Sequence, residues 1–413
     1  MKRYKGGDLV AIRVYSEIGK LRSVLLHRPG AELENLAPNY LSDLLFDDIP
    51  FLKKAQEEHD NFAKVLEENG SKVYYISNLL EETLENENIK KIFLDEFLEM
   101  SEINNQIIKS SLEDYLLSMD TKSMVAKMIA GVRTNELELK KEIFSVKVRK
   151  SNMDIPFFLN PMPNLYFQRD PVAMIGKGAS INRMRTPARR RESMLMEYVL
   201  KYHQDFKDTP LYYKKSFPYA VEGGDILILD EKTIAVGISE RTDPEALETL
   251  ADKIFKEYND SFDTILGFLI PAKRAYMHLD TVFTMIDYDK FVVHSELEEA
   301  MKIFVLRKND ESDYVIEEET GSLNKILEKH LDKDKITLIK CGDGDEIAAA
   351  REQWNDGSNV LAIEPGKIIA YDRNIITNKL LKDHGVEVLE IESSELSRGR
   401  GGPRCMSMPL YRE

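Results

Sequence analysis

Residues 225–242, DILILDEKTIAVGISERT, form the stretch that decides the fold class. An acidic residue starts the stretch, and two short apolar runs follow with a polar turn between them, a pattern typical of two β-strands. The next residues, PEALETLADKIFKEY at 244–258, predict a helix. An acidic start, two strands and a helix therefore make up one structural unit.

The same unit recurs along the chain. Copies start at Asp170 (DPVAMIGKGASINRM, then the helix RRESMLMEYVLKYH) and at Asp280 (DTVFTMIDYDKFVVHSE, then the helix LEEAMKIFV), so successive starts are 55 residues apart. A fourth copy starts at Asn359, with its helix at NKLLKDHG, and the N-terminal segment from SVLLHRPG through KVYYI supplies a fifth. This repetition predicts an α/β fold with a closed radial arrangement, and function is expected where equivalent strand ends converge. An open α/β sheet with accidental spacing is the alternative.

Residues 77–146 depart from this pattern. They contain no proline and a single glycine, Gly131, and they are rich in Leu, Ile, Glu and Lys. Serine and aspartate residues punctuate the stretch where helix N-caps are expected. We therefore predict several consecutive helices that form a subdomain inserted into the repeat structure.

Composition narrows the function classes. The chain has 57 Lys and Arg against 72 Asp and Glu, and a net charge of −15 repels phosphate backbones, so we expect no nucleic-acid partner. The N-terminus lacks the apolar core of a signal peptide, and no apolar run approaches membrane-spanning length. Two cysteines, Cys341 and Cys405, are too few for a disulfide framework. These observations predict a soluble cytoplasmic protein with no membrane partner.

Cys405 lies in the glycine-rich run RGRGGPRCMSMP, which can approach a ligand closely. The neighbours Arg398, Arg400 and Arg404 are cationic, and positive charge lowers a thiol pKa and favours the nucleophilic thiolate. A buried, inert cysteine near a flexible tail is the alternative. Cys341 ends an apolar run, and we interpret it as structural.

His278 and Asp280 occur together in AYMHLDTVF, and in a strand their side chains would point the same way. Glu222 and Asp225 flank the turn of VEGGD, and Asp170 precedes another strand. Gathered carboxylates repel one another unless a cation joins them. A guanidinium, which is planar with five N–H donors, suits them, whereas no metal-ligand motif supports a divalent cation. A thiolate that attacks the guanidinium carbon and a histidine that moves protons would then hydrolyse it.

Several motifs in this order resemble the arginine deiminase family, within the guanidino-group-modifying enzymes of five-bladed α/β-propeller (pentein) fold. The motifs are HRPG, LLFDD, NLYFQRDP, PARRRE, EGGD, GISERT, MHLDTVF and RGRGGPRCMSMP, and they run through nearly the whole chain. The resemblance implies hydrolysis of free L-arginine to L-citrulline and ammonia, with no cofactor or metal. It also implies a catalytic propeller formed by residues 1–76 and 151–413, with an α-helical bundle at 77–150. A homo-oligomer, a dimer or higher, is expected.

The resemblance implies a role for each matching residue. Cys405 would carry the covalent amidino intermediate, His278 would be the general acid and base with Glu222 as its partner, and Asp170 and Asp280 would bind the guanidinium. The remaining roles are Phe167 along the substrate stem, Asn164, Arg189 and Arg241 at the α-amino and α-carboxylate end, and Gly399 and Arg400 in the loop that closes the pocket. Asp225 is assigned a structural role.

One position departs from the family pattern. Many relatives have histidine immediately before the nucleophilic cysteine, whereas this chain has Arg404, which puts the thiol pKa in question. The alternatives are another pentein, such as agmatine deiminase, dimethylarginine hydrolase or an amidinotransferase, and a non-catalytic homologue with a moonlighting role. Arg189 and Arg241 argue against agmatine, because agmatine has no carboxylate for them to pair with.

Overall fold

The computed structural model describes residues 12–144, 146–148, 156–258, 260–271, 276–294, 302–309 and 313–413. The strands in these ranges are β1 Leu21–Leu26, β2 Lys72–Tyr75, β3 Val132–Arg133, β4 Phe157–Leu159, β5 Val172–Ile175, β6 Gly178–Ile181, β7 Leu211–Tyr213, β8 Ile226–Ile228, β9 Thr233–Ile238, β10 Thr264–Leu269, β11 Phe283–Asp287, β12 Lys290–Val293, β13 Lys302–Lys308, β14 Tyr314–Glu319, β15 Thr337–Lys340, β16 Leu361–Glu364, β17 Lys367–Tyr371, β18 Glu387–Ile391 and β19 Met408–Arg412. The α-helices are α1 Leu52–Glu68, α2 Ile76–Leu84, α3 Glu87–Met100, α4 Gln106–Leu117, α5 Thr121–Ala130, α6 Arg190–Tyr202, α7 Pro244–Ala251, α8 Leu323–His330, α9 Glu346–Trp354 and α10 Ile375–Asp383.

One sheet topology recurs through the described residues. The first strand pairs antiparallel with the second, the second pairs parallel with the third, and a helix lies between the second and third because a parallel pair needs a crossover. The sheets built this way are β5-β6-β7, β8-β9-β10, β11-β12-β15, β16-β17-β18 and β19-β1-β2. These are the repeat units that the sequence predicts.

The N-terminal unit is completed by the other end of the chain. Strand β19 pairs antiparallel with β1 and takes the place of the first strand, which the N-terminal segment itself lacks. The sequence does not predict this strand, because its partner β1 lies at the other end of the chain. Since β19 begins three residues after Cys405, this pairing also fixes the position of that residue.

Hydrogen bonds link the strand entrances, the residues that immediately precede the first strand of each unit. Among the described residues these bonds form a closed circle. The contacts are Arg169 N to Cys405 O at 3.0 Å, Gly223 N to Asp170 O at 3.0 Å, Leu279 N to Asp225 Oδ1 at 2.8 Å, Asn359 Nδ2 to Asp280 O at 3.0 Å and Cys405 N to Asn359 Oδ1 at 2.9 Å. The entrances of all these units therefore converge on one place.

Helices α2 to α5 occupy most of the stretch predicted to be helical, up to Ala130. Their apolar faces share a hydrophobic core with the unit that starts at Asp170, and the Phe93 ring packs edge-on against Tyr198 of α6, with centroids 4.8 Å apart. No helix in the described ranges is long and apolar enough to cross a membrane. The proposed boundaries of the helical bundle and the propeller stay a prediction.

One helix prediction is wrong. The sequence predicts a helix over LEEAMKIFV, residues 297–305, but β13 begins at Lys302, and residues 297–301 lie outside the described ranges. Strand β13 is paired on both sides, with β10 and β14, and this pairing outweighs the local helix propensity. The helix that serves this unit is α8, which follows β14 along the chain.

Candidate functional site

A cavity of about 600 Å³ lies at the converging strand entrances. Its wall includes every residue predicted for the site except Glu222 and Asp280, which are in direct contact with His278 and Cys405 respectively. Five residues between Leu41 and Asp47 also line it. The predicted residues thus come together although they are spread from position 164 to 405 of the chain.

Cys405 sits in the turn that leads into β19 and is 4% exposed. Its backbone N–H donates to Asn359 Oδ1 at 2.9 Å, and its Sγ lies 3.6 Å from Asp280 Oδ2. Close packing requires the preceding glycine, because a Cβ at Gly402 would fall 2.3 Å from the Asn359 carbonyl oxygen. Burial raises the pKa of the Cys405 thiol well above its ordinary value, nearby carboxylates raise it further, and Arg404 lowers it.

His278 is buried beside two carboxylates. Its Nε2 is 2.8 Å from Glu222 Oε2, and its Nδ1 is 3.7 Å from Asp170 Oδ1. Burial opposes protonation, but Asp170 and Glu222 together outweigh it and raise the pKa of His278 to about 9. Burial raises the pKa of Glu222, yet the hydrogen bond and charge of His278 hold it below its usual range. The pair is therefore an imidazolium and a carboxylate at neutral pH.

The acidic side chains Asp170 and Asp280 have the same arrangement of contacts. In each, Oδ2 accepts a hydrogen bond at 2.7 Å from a buried arginine, Arg189 for Asp170 and Arg404 for Asp280. In each, Oδ1 is buried and has no hydrogen-bond partner within the described residues. A buried acceptor without a donor is costly, so these two oxygens are suited to receive N–H groups from a bound cation.

The structure corrects the expected relation between His278 and Asp280. The sequence predicts that both lie on one strand and point the same way, but Leu279–Thr281 forms a 3₁₀ turn and β11 begins only at Phe283. The turn separates their contacts, because His278 faces Glu222 while Asp280 faces Cys405. Gly224 makes room for the imidazole, since a Cβ there would fall 2.7 Å from the ring.

The two arginines predicted for the α-carboxylate end differ in their contacts. Arg189 is saturated, with bonds to Asp170, to both oxygens of Glu192 and to the carbonyl oxygens of Asn164 and Phe167. Among the described residues, the Arg241 side chain makes two loose contacts, to Glu222 Oε1 and Met277 Sδ, each at 3.8 Å. Arg241 therefore has donors to offer a ligand, whereas Arg189 fixes Asp170.

The remaining predicted residues shape the rim of the cavity. Asn164 donates from Nδ2 to the Leu44 carbonyl oxygen at 2.7 Å, which ties the rim to the segment that contains Asp47. Gly399 packs against Phe167, and Arg400 adopts a left-handed φ of 64°. The Arg400 guanidinium stacks 3.5 Å from the Trp354 ring centroid and lies 3.6 Å from Asp47 Oδ2.

Two residues that hold this site together, Asn359 and Glu17, were not predicted from the sequence to belong to it. Asn359 bridges Cys405 and Asp280, and its place at the start of the fourth repeat could have identified it. Glu17 and Arg404 form a buried ion pair behind the nucleophile, with Arg404 Nε 3.1 Å from Glu17 Oε2. No motif marks Glu17, because its partners lie more than two hundred residues away along the chain.

Comparisons with known proteins agree with this geometry. Residues 42–412 match the family described as arginine deiminase. The chain is 48% identical over 407 residues to the arginine deiminase of Staphylococcus epidermidis, covering 97% of this chain and 98% of that protein. It is 49% identical to the arginine deiminase of Bacillus thuringiensis subsp. konkukian, with the same coverage.

Solved structures bear on the fold. SxtG, an amidinotransferase from Microseira wollei, is similar with a TM-score of 0.52 and 16% identity, over 97% of each chain. DDAH from Pseudomonas aeruginosa, complexed with citrulline, is similar with a TM-score of 0.51 and 15% identity, over 94% of this chain and 99% of that chain. At these identities the likeness concerns the fold alone, and it confirms the predicted pentein fold class.

Proposed function

Since the chain belongs to the arginine deiminase family, we propose that it hydrolyses free L-arginine to L-citrulline and ammonia through a covalent amidino intermediate on Cys405. The observation that carries the residue assignment is the pair of buried oxygens, Asp170 Oδ1 and Asp280 Oδ1, which accept no hydrogen bond from any described residue, in the site that contains the Cys405 thiol and a protonated His278. A guanidinium supplies the N–H donors that both oxygens need.

Substrate charge activates the nucleophile. Burial and nearby carboxylates keep the thiol of Cys405 protonated, and a guanidinium bound between Asp170 and Asp280 offsets those negative charges. The thiol then releases its proton to solvent, and the thiolate attacks the guanidinium carbon to form a C–S bond. Arginine binding and thiolate formation are thereby coupled.

His278 handles the protons of both half-reactions. The imidazolium gives its proton to one amino group of the tetrahedral adduct, the C–N bond breaks, ammonia leaves and a thiouronium remains on Cys405. The neutral imidazole then takes a proton from water, whose oxygen bonds to the same carbon. Collapse of this second adduct breaks the C–S bond, returns the thiolate and releases citrulline after its O–H proton passes to solvent. Glu222 stabilises the imidazolium at each stage.

The rim of the cavity selects free arginine. Arg241 holds the α-carboxylate, Asn164 lies at the α-amino end, Phe167 packs along the stem, and Gly399 and Arg400 cover the pocket. Arg189 also belongs to this end of the site, and its role there is indirect, through Asp170. We further expect a homo-oligomer located in the cytoplasm, which sedimentation and cell fractionation would test.

The decisive experiment is mass spectrometry of protein quenched within milliseconds of mixing with arginine. We expect an adduct on Cys405 with the mass of arginine less ammonia. The variant Cys405→Ser should show no adduct and no turnover, because an alcohol has no comparable anionic population at neutral pH. Cys341→Ser is the matched control, since Cys341 is also buried but bonds to Thr377 rather than facing the cavity, and it should keep the adduct.

Two outcomes would contradict the proposal. Fully active protein without an adduct at any quench time would remove the covalent mechanism. Turnover of agmatine with no citrulline from arginine would assign the chain a different substrate. The adduct and citrulline are quantified in the arginine samples, and a parallel incubation with agmatine measures its turnover.

A further inference from the structure

Arg404, the residue before the nucleophile, points away from the cavity. Its side chain is 1% exposed, and it does not line the cavity wall, whereas Cys405 does. Its Nη1 donates to Asp280 Oδ2 at 2.7 Å, and its Nη2 donates to the Ile226 carbonyl oxygen at 3.0 Å. The guanidinium therefore lies behind the thiol, against the carboxylate that faces the substrate.

Glu17 holds this guanidinium from the other side. Arg404 Nε and Nη2 donate to the two Glu17 oxygens at 3.1 Å each, which is a bidentate pair. Glu17 is itself fixed, because its Oε1 also accepts from the backbone N–H of Ile228 in β8 at 3.1 Å. Glu17 precedes residues 42–412, which match the arginine deiminase family model, so that match does not cover Glu17.

These contacts determine the orientation of Asp280. A carboxylate without an anchor can rotate and exchange its two oxygens, but here Arg404 occupies Oδ2, and Oδ1 has no hydrogen-bond partner within the described ranges. We propose that Arg404, held by Glu17, is a positioning residue that presents Asp280 Oδ1 to the substrate guanidinium and keeps Oδ2 beside the Cys405 thiol. This inference rests on the proposed function, because it assigns a role within that reaction.

The same pair also balances the charge near the thiol. Arg404 is the cation closest to Cys405 in sequence, and Glu17 and Asp280 share its charge. The other ionisable groups that face the thiol or the pair are Asp170, Asp356, Tyr166, Tyr371, Arg169 and Arg412. Neutralising Glu17 leaves the positive charge of Arg404 less compensated and favours the thiolate, whereas removing Arg404 disfavours it. The two substitutions should therefore shift the pKa of the Cys405 thiol in opposite directions, which a loss of stability alone would not do.

The first test needs no turnover. The rate at which iodoacetamide alkylates Cys405 is measured against pH in the full-length protein. Glu17→Gln should move the alkylation profile to lower pH, and Arg404→Met should move it to higher pH. Arg191→Met is the matched control, because Arg191 is also buried but donates to the Asn160 carbonyl oxygen rather than to Glu17 or Asp280. Profiles that do not move, or that move in one direction for both variants, would overturn the inference.

The second test separates positioning from stability. Arg404→Met should lower kcat about 100-fold, since a displaced catalytic group costs that much. The double variant Glu17→Gln with Arg404→Met no longer leaves Glu17 as an unpaired buried charge, so it should regain part of the thermal stability but not kcat, because Asp280 still lacks its anchor. If the double variant has a kcat within about threefold of the parent, the Glu17–Arg404 pair contributes to stability alone, and the inference is overturned.

If Arg404→Met does not fold, Arg404→Lys carries the test. Lysine keeps the charge but cannot bridge Glu17 and Asp280 with a planar fork, so a loss of kcat of about tenfold is expected. Unchanged kcat in this variant would overturn the inference. Failure of the proposed function is distinguishable, because it shows as a parent protein that makes no citrulline, while the alkylation profiles still test the role of Arg404.

Discussion

Asp225 and the pair Asp170 and Asp280 occupy the same place in successive repeats, yet their surroundings differ. Asp225 is satisfied at both oxygens, since Oδ1 accepts from Leu279 N at 2.8 Å and Oδ2 accepts from the hydroxyls of Ser239 and Thr242 at 2.7 and 2.6 Å. Asp170 and Asp280 each keep one buried oxygen that accepts no hydrogen bond from the part of the chain that the structure describes. Each of these repeats places an aspartate at its strand entrance. The hydrogen bonds from surrounding residues then determine whether that aspartate stabilises the fold or is able to bind a ligand.

Arg189 and Arg241 repeat this contrast with the opposite charge. Arg189 donates to Asp170 and Glu192, whereas the contacts of the Arg241 side chain with described residues are both at 3.8 Å. We therefore infer that the side chains that contact the substrate are those that face the cavity with unused hydrogen-bond donors or acceptors. The predictions below test this criterion, beginning with the largest expected effect.

Asp280→Asn and Asp170→Asn should each lower kcat/KM by about 1,000-fold. Removing one charge of a buried ion pair costs about 3–5 kcal/mol, and the amide also offers N–H to a ligand that has only N–H donors. Melting temperatures should also fall, because each substitution removes the partner charge of a buried arginine, and relief of the repulsion among the gathered carboxylates offsets only part of this loss. Citrulline formation and thermal denaturation measure the two quantities. If either variant keeps a tenth of the parent kcat/KM, the proposed difference between these two aspartates and Asp225 is wrong.

The spacing of Asp170, Asp225 and Asp280 is enough to predict the repeat and the place of the site. It cannot distinguish Asp225 from the other two, because the distinction depends on Ser239 and Thr242, which reach the carboxylate only after folding. The family motifs narrow the function to arginine hydrolysis, which neither spacing nor composition could do.

Long-range pairing limits what the sequence can predict. Strand β19 completes the sheet of β1, and Glu17 meets Arg404, but both contacts join opposite ends of the chain. The run LEEAMKIFV predicts a helix that includes residues 302–305. These residues form a strand because β13 pairs with β10 on one side and with β14 on the other.

Arg241→Ala should lower kcat/KM for arginine about 100-fold and change the rate for agmatine little, because agmatine has no carboxylate to pair with Arg241. Arg189→Ala should lower both rates in parallel, since it releases Asp170 from its anchor. The ratio of the two specificity constants is the measurement. An unchanged ratio in Arg241→Ala would remove Arg241 from substrate recognition.

Glu222→Gln should change the pH dependence of the reaction. The pKa of His278 is raised to about 9, so the imidazolium persists at neutral pH and kcat/KM should fall as the pH rises through about 9. Loss of the Glu222 charge lowers the pKa of His278, and the alkaline limb should move toward neutral by about one unit or more. A profile of kcat/KM between pH 6 and 10 measures the shift, with Glu240→Gln at the cavity rim as the control. A limb that stays in place would separate Glu222 from the titration of His278.

Asp225→Asn should have the smallest effect on turnover, within about tenfold, because Oδ1 of the amide still accepts from Leu279 N. Its signature is in stability. Burial raises the pKa of Asp225 from 3.8 to about 6, so the parent gains stability when this group is protonated and loses that gain as the pH rises through about 6. The variant lacks the gain, so it should be less stable than the parent at pH 4, and the deficit should narrow by up to about 3 kcal/mol between pH 4 and 8. Urea unfolding at intervals across this range measures it, and a deficit independent of pH, or a loss of turnover as large as that of Asp280→Asn, would place Asp225 with the reacting groups rather than the scaffold.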